Sequence, residues 1–565
     1  MKTARENTES SPSGIHFGHY KAQSHSTYLT DLQVKKLNLA YQRGKPLDRW
    51  GHGTTVLLAK KAGGTTIDKL RAICLFEADF NWSLKIIFAK KMMRNAKDYN
   101  LLPPELFTTS GTSAPAGCLT RILWCDMNLI MNRSFSVQNC DLGQCYDAIH
   151  HVAASLALRS FGVPKKAVGV MHTVLQEMKF WLRSAFGDSE TPFSGSALDP
   201  TMGEGQGSGA APPTWTTIST VMIRILKKYG FHSPIRGSWS DAALHILTIL
   251  FVDDIDMLLA ALQSQSNDDF LVMIQDAISE WGRIVMVTGG YLKQVKCQVA
   301  LAIVEFVDGK PRLANKASSL ADITYTIPTK EGGAESIKVL GPNDKVEALG
   351  ITTDLVNSGT HHLAEIEKKT LDWISRLNSS RIITKAGAWL SFFHQLKPSI
   401  LYAIECLSAP PKDVDATMNR LYYRCLSKLG VNRNIRREAR YLPKEWGGLG
   451  MFLLNIENLG ARCLLILNHW GKQSEVGKAL QIQTSYEVFR TDIGLGGNIF
   501  ACNFDVLGHL AKHCRCWWKT TQINLAPKYG PHSPRENEPT VMDLFLSQGI
   551  WDRSELAILK EYADT

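Results

Sequence analysis

The sequence contains no run of 18 or more uncharged apolar residues, and its first residues, MKTARENTESSPSG, hold no apolar stretch. The first absence excludes a membrane-spanning helix and the second a secretory leader. The chain is therefore expected to be soluble and intracellular, with no membrane partner; without a targeting signal, nuclear and cytoplasmic sites both stay open. Its twelve cysteines follow no regular spacing. In a long chain with no secretory segment, that predicts reduced thiols and no disulfide framework. No internal repeat is visible either.

What is present describes a globular protein. At 565 residues, 44% hydrophobic and 21% charged, the chain has room for roughly two to four core-bearing units of about 100–200 residues. The net charge of +10 is unevenly placed. Val56–Lys97 carries nine Lys/Arg against three Asp/Glu, and His361–Gly450 carries fifteen against eight. Two basic segments flanking a mildly acidic middle suit a polyanion gripped from two sides; two solvated helix faces are the plainer alternative.

Residues 1–47 read as a polar leader, partly ordered at best. From Thr54, TTVLLAKK and KLRAICLF read as strands joined by a turn, followed by an amphipathic helix through NWSLKIIFAKKMMRNAK. A short strand ends near Asp141, and a helix starts around Asp147 and closes at Gly162. A further helix covers Lys165–Glu177. Residues 186–214 have the Gly, Ser and Pro content of a linker. Helices are expected over Trp215–Tyr229 and Asp268–Thr288, the latter stopped by Gly289-Gly290. A strand pair over Val299–Phe306 and Pro311–Ala314 follows, then a hairpin in LGPNDKVEALGITTD. From His361 onward the pattern is helical, broken at Glu445–Met451.

Leu247–Ala260, LTILFVDDIDMLLA, sets Asp253 and Asp254 inside an apolar run, where charge is expensive. Two strands joined at the aspartates fit best, since Asp tolerates the backbone angles of a tight turn. Like charges held close stay ionised only beside a cation, and oxygen-only ligands at a phosphate-handling site point to Mg²⁺. Asp141, at another strand end, would complete a two-metal site for in-line phosphoryl transfer. A solvated turn is the alternative for the pair alone.

An ordered series then emerges: VLLAKK with KLRAICLFEADFNWSLKIIFAKKM, CDLGQCYDAI, GEGQGSGAAPPTW, FVDD, TGGYLKQVKC and EALGI. In this order it resembles the reverse transcriptase family, especially enzymes of non-LTR-type retroelements, over residues 10 to 480. The resemblance implies an α+β right-hand polymerase, with a leader over 1–47, fingers over 48–140, palm over 141–360, helical thumb over 361–480 and a C-terminal helical region over 481–565. It implies RNA-directed DNA synthesis with an RNA template, a DNA primer, deoxynucleoside triphosphates and two Mg²⁺, Mn²⁺ being possible. Asp141 and Asp253 are implied as metal ligands, with Asp254 beside them near the primer end and a backbone carbonyl next to Leu142 completing coordination. Tyr146 is implied to exclude a 2′-hydroxyl and Gln206 to shape the nucleotide pocket, which replaces the linker reading of its loop with one in which glycines let backbone approach substrate. Lys60 and Arg71 are implied to bind triphosphate, Lys60 with Lys61 beside it as a rival register. Lys296 stands where a general acid for pyrophosphate is often placed.

The third motif has Phe251-Val252 where Tyr-Ala or Phe-Ala is more usual, and Tyr146 replaces a common Phe. Neither an endonuclease domain nor a ribonuclease H series is recognisable, so the chain is expected to be a fragment or a piece of a longer element. A decayed nucleic-acid-binding remnant and an RNA-templated RNA polymerase remain alternatives. Arg433, Arg436, Arg437 and Arg440 in RNIRREAR are expected to contact nucleic-acid phosphates, or else to form a solvated loop. Cys502, His509, His513, Cys514 and Cys516 cluster without a standard zinc spacing, and a helix with a wet face accounts for them.

Overall fold

The computed structural model describes residues 13–491, apart from 61–65, 67–68, 110, 144, 185–186, 197–198, 232–233, 238–241, 263, 316–319 and 470. The Cys502–Cys516 cluster lies outside the described residues.

The centre of the molecule is a six-stranded sheet ordered Tyr325–Pro328, Ala334–Leu340, Gln298–Ala302, Phe135–Asn139, Asp254–Ala260 and Thr248–Phe251. Every pairing is antiparallel except that of Gln298–Ala302 with Ala334–Leu340. Both faces are covered, which is why the aspartate strands read as nearly unbroken apolar runs. Ile255, Met257 and Leu259 pack with Trp215 and Trp281, from the helices Ala211–Lys228 and Asn267–Val287. Leu258 and Ala260 pack on the opposite face with Trp124, from the helix Ala114–Ile130. This period-two division is what a pleated strand between two cores requires.

The helix Ala114–Ile130, capped by the Ser113 hydroxyl, is buried over nearly its whole length and carries a cation into the core. Arg121 donates to Asp256 Oδ2 at 2.9 Å and to Thr353 Oγ1 at 2.8 Å, while Asn139 donates to Asp256 Oδ1 at 3.0 Å. Asp256 thus has both oxygens satisfied, the condition under which a buried ion pair is tolerated.

The expected hairpin is present as His52–Ala59 against Leu70–Leu75, and runs on into helical turns from Ala78 to Asp98. Its sheet gains a parallel third strand, Lys179–Ser184, from beyond the first acidic motif. The helix Ala114–Ile130 and the strand Phe135–Asn139, read as the end of the fingers, are parts of the central layer. The leader contains two helices, Phe17–Gln23 and Thr27–Arg43, capped by His16 and Ser26. Only Tyr20 and Ala40 in them are buried, so their polar composition is that of helices lying on a surface. Asp79 ties this region together, accepting from Gln33 and Trp50 and pairing with Arg49.

Elsewhere the expected elements shift modestly. The helix anticipated from Asp147 begins at His151, because Tyr146 and Ile149 give their carbonyls to Glu204 and Gly203 instead of to a first helical turn. The strand expected over Val299–Phe306 divides: Gln298–Ala302 stays in the central sheet, and Val304–Val307 forms its own hairpin with Lys310–Leu313. Val346–Ala348 and Ile351–Thr353 form the hairpin read from EALGI. From Thr360 to Thr491 the described residues are mainly helical, much of this stretch packing around a separate core centred on Trp373, Phe392, Tyr422 and Phe452.

Removing the Arg121 guanidinium leaves Asp256 charged and unpaired in the core. Arg121→Ala is expected to lower unfolding free energy by about 3–5 kcal/mol, whereas Arg121→Met with Asp256→Leu loses much less. Chemical denaturation of both variants checks this.

Candidate active site

The central strand is hydrogen-bonded on both sides, with Asn139 opposite Asp256 in one neighbour and opposite Gln298 in the other. Antiparallel register carried two residues further sets Asp141 across from Asp254 on one side. On the other side the ladder breaks at the turn Gln294–Lys296 and resumes with Leu292 opposite Leu142, so Lys296 reaches Asp141 from that turn by its side chain. Cys140 donates its N–H to Ile255 O at 2.9 Å, and Lys296 Nζ donates to Asp141 Oδ1 at 3.0 Å. The Asp141 carbonyl accepts from Lys293 N–H at 2.9 Å. Asp141 Oδ2 is buried and has no hydrogen-bond partner.

Asp253 and Asp254 are exposed at the tip of the hairpin Thr248–Phe251/Asp254–Ala260, where Phe251 faces Asp254 across a two-residue turn. The unusual backbone angle, expected of an aspartate, falls instead on Val252, whose φ is +62°. A β-branched residue there costs about 1–3 kcal/mol. Trp215 helps to hold it, donating Nε1–H to the Val252 carbonyl at 2.5 Å.

The electrostatics identify which groups share this space. Asp254 is pushed up to about 6, first by the protein packed around it and then by Asp253, Asp141 and Asp256, with Lys296 opposing. Lys296, although partial burial acts against its charge, is raised by Asp141, Asp254 and Asp253. Burial raises Tyr146 foremost, with Cys145 and Asp253 adding to it. These effects place Asp141, Asp253, Asp254, Lys296 and Tyr146 in one neighbourhood.

A second group adjoins it. Gln206 donates Nε2–H to Asp147 Oδ2 at 3.0 Å, and its carbonyl accepts from Cys74 N–H at 2.6 Å in the strand Leu70–Leu75. Asp147 is raised by burial, opposed by Gln206 and by the nearby Lys60. Gly207 has φ +120°, and a Cβ there would run into the Cys74 carbonyl. The glycines expected to admit substrate thus first admit the strand Leu70–Leu75. Asn81 fastens the same loop, donating to Gly207 O at 3.0 Å and accepting from Gly209 N–H at 2.5 Å. Arg71 is exposed in the hairpin His52–Ala59/Leu70–Leu75, opposite Leu58.

The four arginines of RNIRREAR lie in the helical core's loop and short helix, apart from the aspartates in the fold. Arg433 lies over the Tyr423 ring at 5.4 Å, and Arg437 pairs with Asp415 at 3.4 Å. Arg440 donates to the Arg433 and Ile435 carbonyls, knotting its own loop. Arg436 caps the short helix Arg437–Tyr441 with backbone alone.

Sequence reasoning gives Asp147 and Asp256 no site role. Asp256 could have been found by alternation, since in DDID it lies two residues after Asp254 on the same strand face. Its partner Arg121 left no comparable signal, because only folding brings the two together.

Among the described residues, no three His, Cys, Asp or Glu side chains are gathered as a bound metal requires, and Lys296 takes Oδ1 of Asp141. The donor chemistry nevertheless suits a hard cation: an orphaned buried carboxylate oxygen on Asp141 shares its neighbourhood with the exposed carboxylates of Asp253 and Asp254.

No protein-family model matches the chain, and no curated protein matches it. Among solved structures it is similar to apo telomerase from Candida tropicalis truncated from the C-terminal domain, at 14% identity and a TM-score of 0.33, covering 58% of this chain and 59% of that one. It is similar to telomerase from Candida albicans in complex with a TWJ fragment of telomeric RNA, at 10% identity and a TM-score of 0.34, covering 84% and 66%. For apo telomerase from Candida tropicalis the figures are 12%, 0.35, 81% and 74%. The chain thus spans 59% and 66% of the first two.

A carboxyl whose pKa is higher folded than unfolded favours the folded state when protonated, so Asp254 costs stability as pH rises from 3.8 through about 6. In chelator, Asp254→Asn is expected to melt above the wild type at pH 7, with the gap closing near pH 4. Thermal melts across that range test it, and equal melting points at pH 7 would refute it.

Proposed function

We propose that the chain is an RNA-directed DNA polymerase of the reverse transcriptase kind, from a non-LTR-type retroelement, extending a primer with deoxynucleotides on an RNA template. The observation that carries this reading is the end of the central sheet, where register sets Asp141 opposite Asp254, Lys296 reaches Asp141 by its side chain, and Asp253 lies at the adjoining tip. The ordered motifs supply the family, and the spacing of Tyr146 and Gln206 around the aspartates agrees with it.

Asp141, through the unpartnered Oδ2, and Asp253, with Asp254 beside them, would hold two Mg²⁺ ions or Mn²⁺ in their place. Such a pair supplies charge neutralisation for an attacking primer 3′-hydroxyl and a leaving pyrophosphate. Lys296 keeps its proton among three carboxylates, and Nζ, hydrogen-bonded to Asp141, would act as the general acid that protonates the leaving pyrophosphate. Tyr146 fills the volume a ribose 2′-hydroxyl would need, and selection by exclusion follows. Gln206 and Asp147 brace the nucleotide pocket from the loop side. Lys60 and Arg71 offer positive charge to the triphosphate, Arg71 through its bidentate fork. Arg433, stacked over Tyr423, and Arg436 would offer charge to template or primer phosphates alongside Arg437 and Arg440, which also hold protein partners.

Primer extension on poly-riboadenylate with deoxythymidine triphosphate tests the reading. Asp253→Ala is expected to lose at least about a thousandfold in rate while keeping the wild-type melting profile. Equal extension by both proteins overturns it, and salt-sensitive binding without any extension favours the remnant that only binds. Tyr146→Ala is expected to admit ribonucleotides about tenfold more readily relative to deoxynucleotides, read as the ratio of kcat/KM values.

A further inference from the structure

Beneath the glycine-rich loop lies a buried cluster to which the chemistry above gives no part. Glu204, within GEGQG, is 0% exposed. Its Oε1 accepts from His172 Nε2 at 3.1 Å, and its Oε2 is buried without a partner. The other ring nitrogen of His172 shares a 2.9 Å hydrogen bond with the Ser155 hydroxyl. His151 stacks on His172 with centroids 4.4 Å apart and planes 11° from parallel. Its Nε2 lies 2.8 Å from the Gly203 carbonyl. A carbonyl only accepts, so His151 carries its proton on Nε2, and burial followed by the neighbouring His172 keeps the ring neutral.

The same two loop residues are pinned by their backbones to the segment carrying Tyr146. Glu204 N–H donates to the Tyr146 carbonyl at 2.8 Å, and Gly203 N–H donates to the Ile149 carbonyl at 3.0 Å. Two residues on, Gln206 reaches Asp147. One buried acid and two stacked imidazoles therefore hold, through a single loop, the backbone of Tyr146 and the side chain of Gln206. A carboxylate sealed from water with one oxygen unmet is a costly way to fill space. Leu or Met would pack a purely structural site more cheaply, so the cost points to a gain in placement.

We infer that Glu204 and His172, with His151, are positioning residues for nucleotide selection: they fix the loop that holds Tyr146 against the incoming sugar and Gln206 against Asp147. The inference rests on the polymerase reading above and extends it to a set of residues that touch no substrate. Their loss acts on nucleotide affinity and sugar discrimination and leaves the aspartates and Lys296 in place.

The test compares full-length wild type with His172→Leu, His172→Gln and Glu204→Gln in primer extension, using deoxythymidine and ribouridine triphosphates. His172→Leu strands Glu204, and KM for the deoxynucleotide is expected to rise about tenfold with kcat within about twofold, while deoxy-over-ribo preference falls about tenfold. His172→Gln keeps an N–H for Glu204 and is expected to restore most of both. Glu204→Gln retains shape and bonding, protects the test against a leucine variant that fails to fold, and is expected to shift KM and sugar preference in the same direction by a smaller factor. Folded variants with wild-type KM and wild-type sugar preference overturn the inference while leaving the polymerase reading intact. A fall in kcat alone, with KM and preference unchanged, overturns it as well. A wild type that extends no primer overturns the polymerase reading and this inference together.

Discussion

The site depends on one constraint, the double hydrogen bonding of the strand Phe135–Asn139. A strand at a sheet edge fixes one neighbour; a strand in the middle fixes two, and fixes them relative to each other. Because Asn139 is in register with both Asp256 and Gln298, Asp141 is held opposite Asp254 on one side and, through its carbonyl, to Lys293 at the start of the turn that carries Lys296 on the other. The meeting of three chain segments separated widely in sequence is decided by a ladder of backbone bonds that never touches substrate. A one-residue slip on either side would turn the partner side chains to the opposite face.

Holding that register against its own electrostatics takes further structure. The hairpin tip gathers carboxylates that repel, and its turn bends through a valine in a conformation valines avoid. The opposing terms lie just behind. The Arg121 guanidinium neutralises Asp256, and the Trp215 indole clasps the Val252 carbonyl. Both come from long helices packed on opposite faces of the sheet, so the two covering layers each contribute one polar contact to the site. Strain and repulsion at the tip are sustained by the bulk of the core.

Much of this could be read from the residues. The apolar flanks of Asp253-Asp254, the helices at Lys165–Glu177 and Asn267–Val287, and the fingers hairpin arise from periodicity and punctuation, which are local properties. An aspartate does occupy the turn, which is Val252-Asp253, but the positive φ lies on Val252: intrinsic tolerance favours Asp at positive φ, yet strand pairing set the turn one residue earlier, and tertiary contacts overrode the preference. The division of lobes also escaped a linear reading. The helix Ala114–Ile130 and the strand Phe135–Asn139 precede Asp141 in the chain yet belong to the central layer, whereas Lys179–Ser184 lies beyond Asp141 yet joins the sheet of His52–Ala59 and Leu70–Leu75. Buried partners such as Arg121, His172 and Glu204 carry no pattern of their own, because a single polar residue in a helix or loop looks the same whether it faces water or another charge.

The strand Lys179–Ser184, lying parallel beside His52–Ala59, has a consequence for how this protein comes to exist. Parallel pairing between residues 52 and 179 cannot form until the helix Ala114–Ile130 and the central strand have been made and passed over, so the first lobe is unfinished while the ribosome is still building the second. Non-local pairing of this kind is slow and leaves an open edge meanwhile. The two lobes are consequently interlaced from birth, and neither can be cut away at a point along the chain without taking a strand from the other.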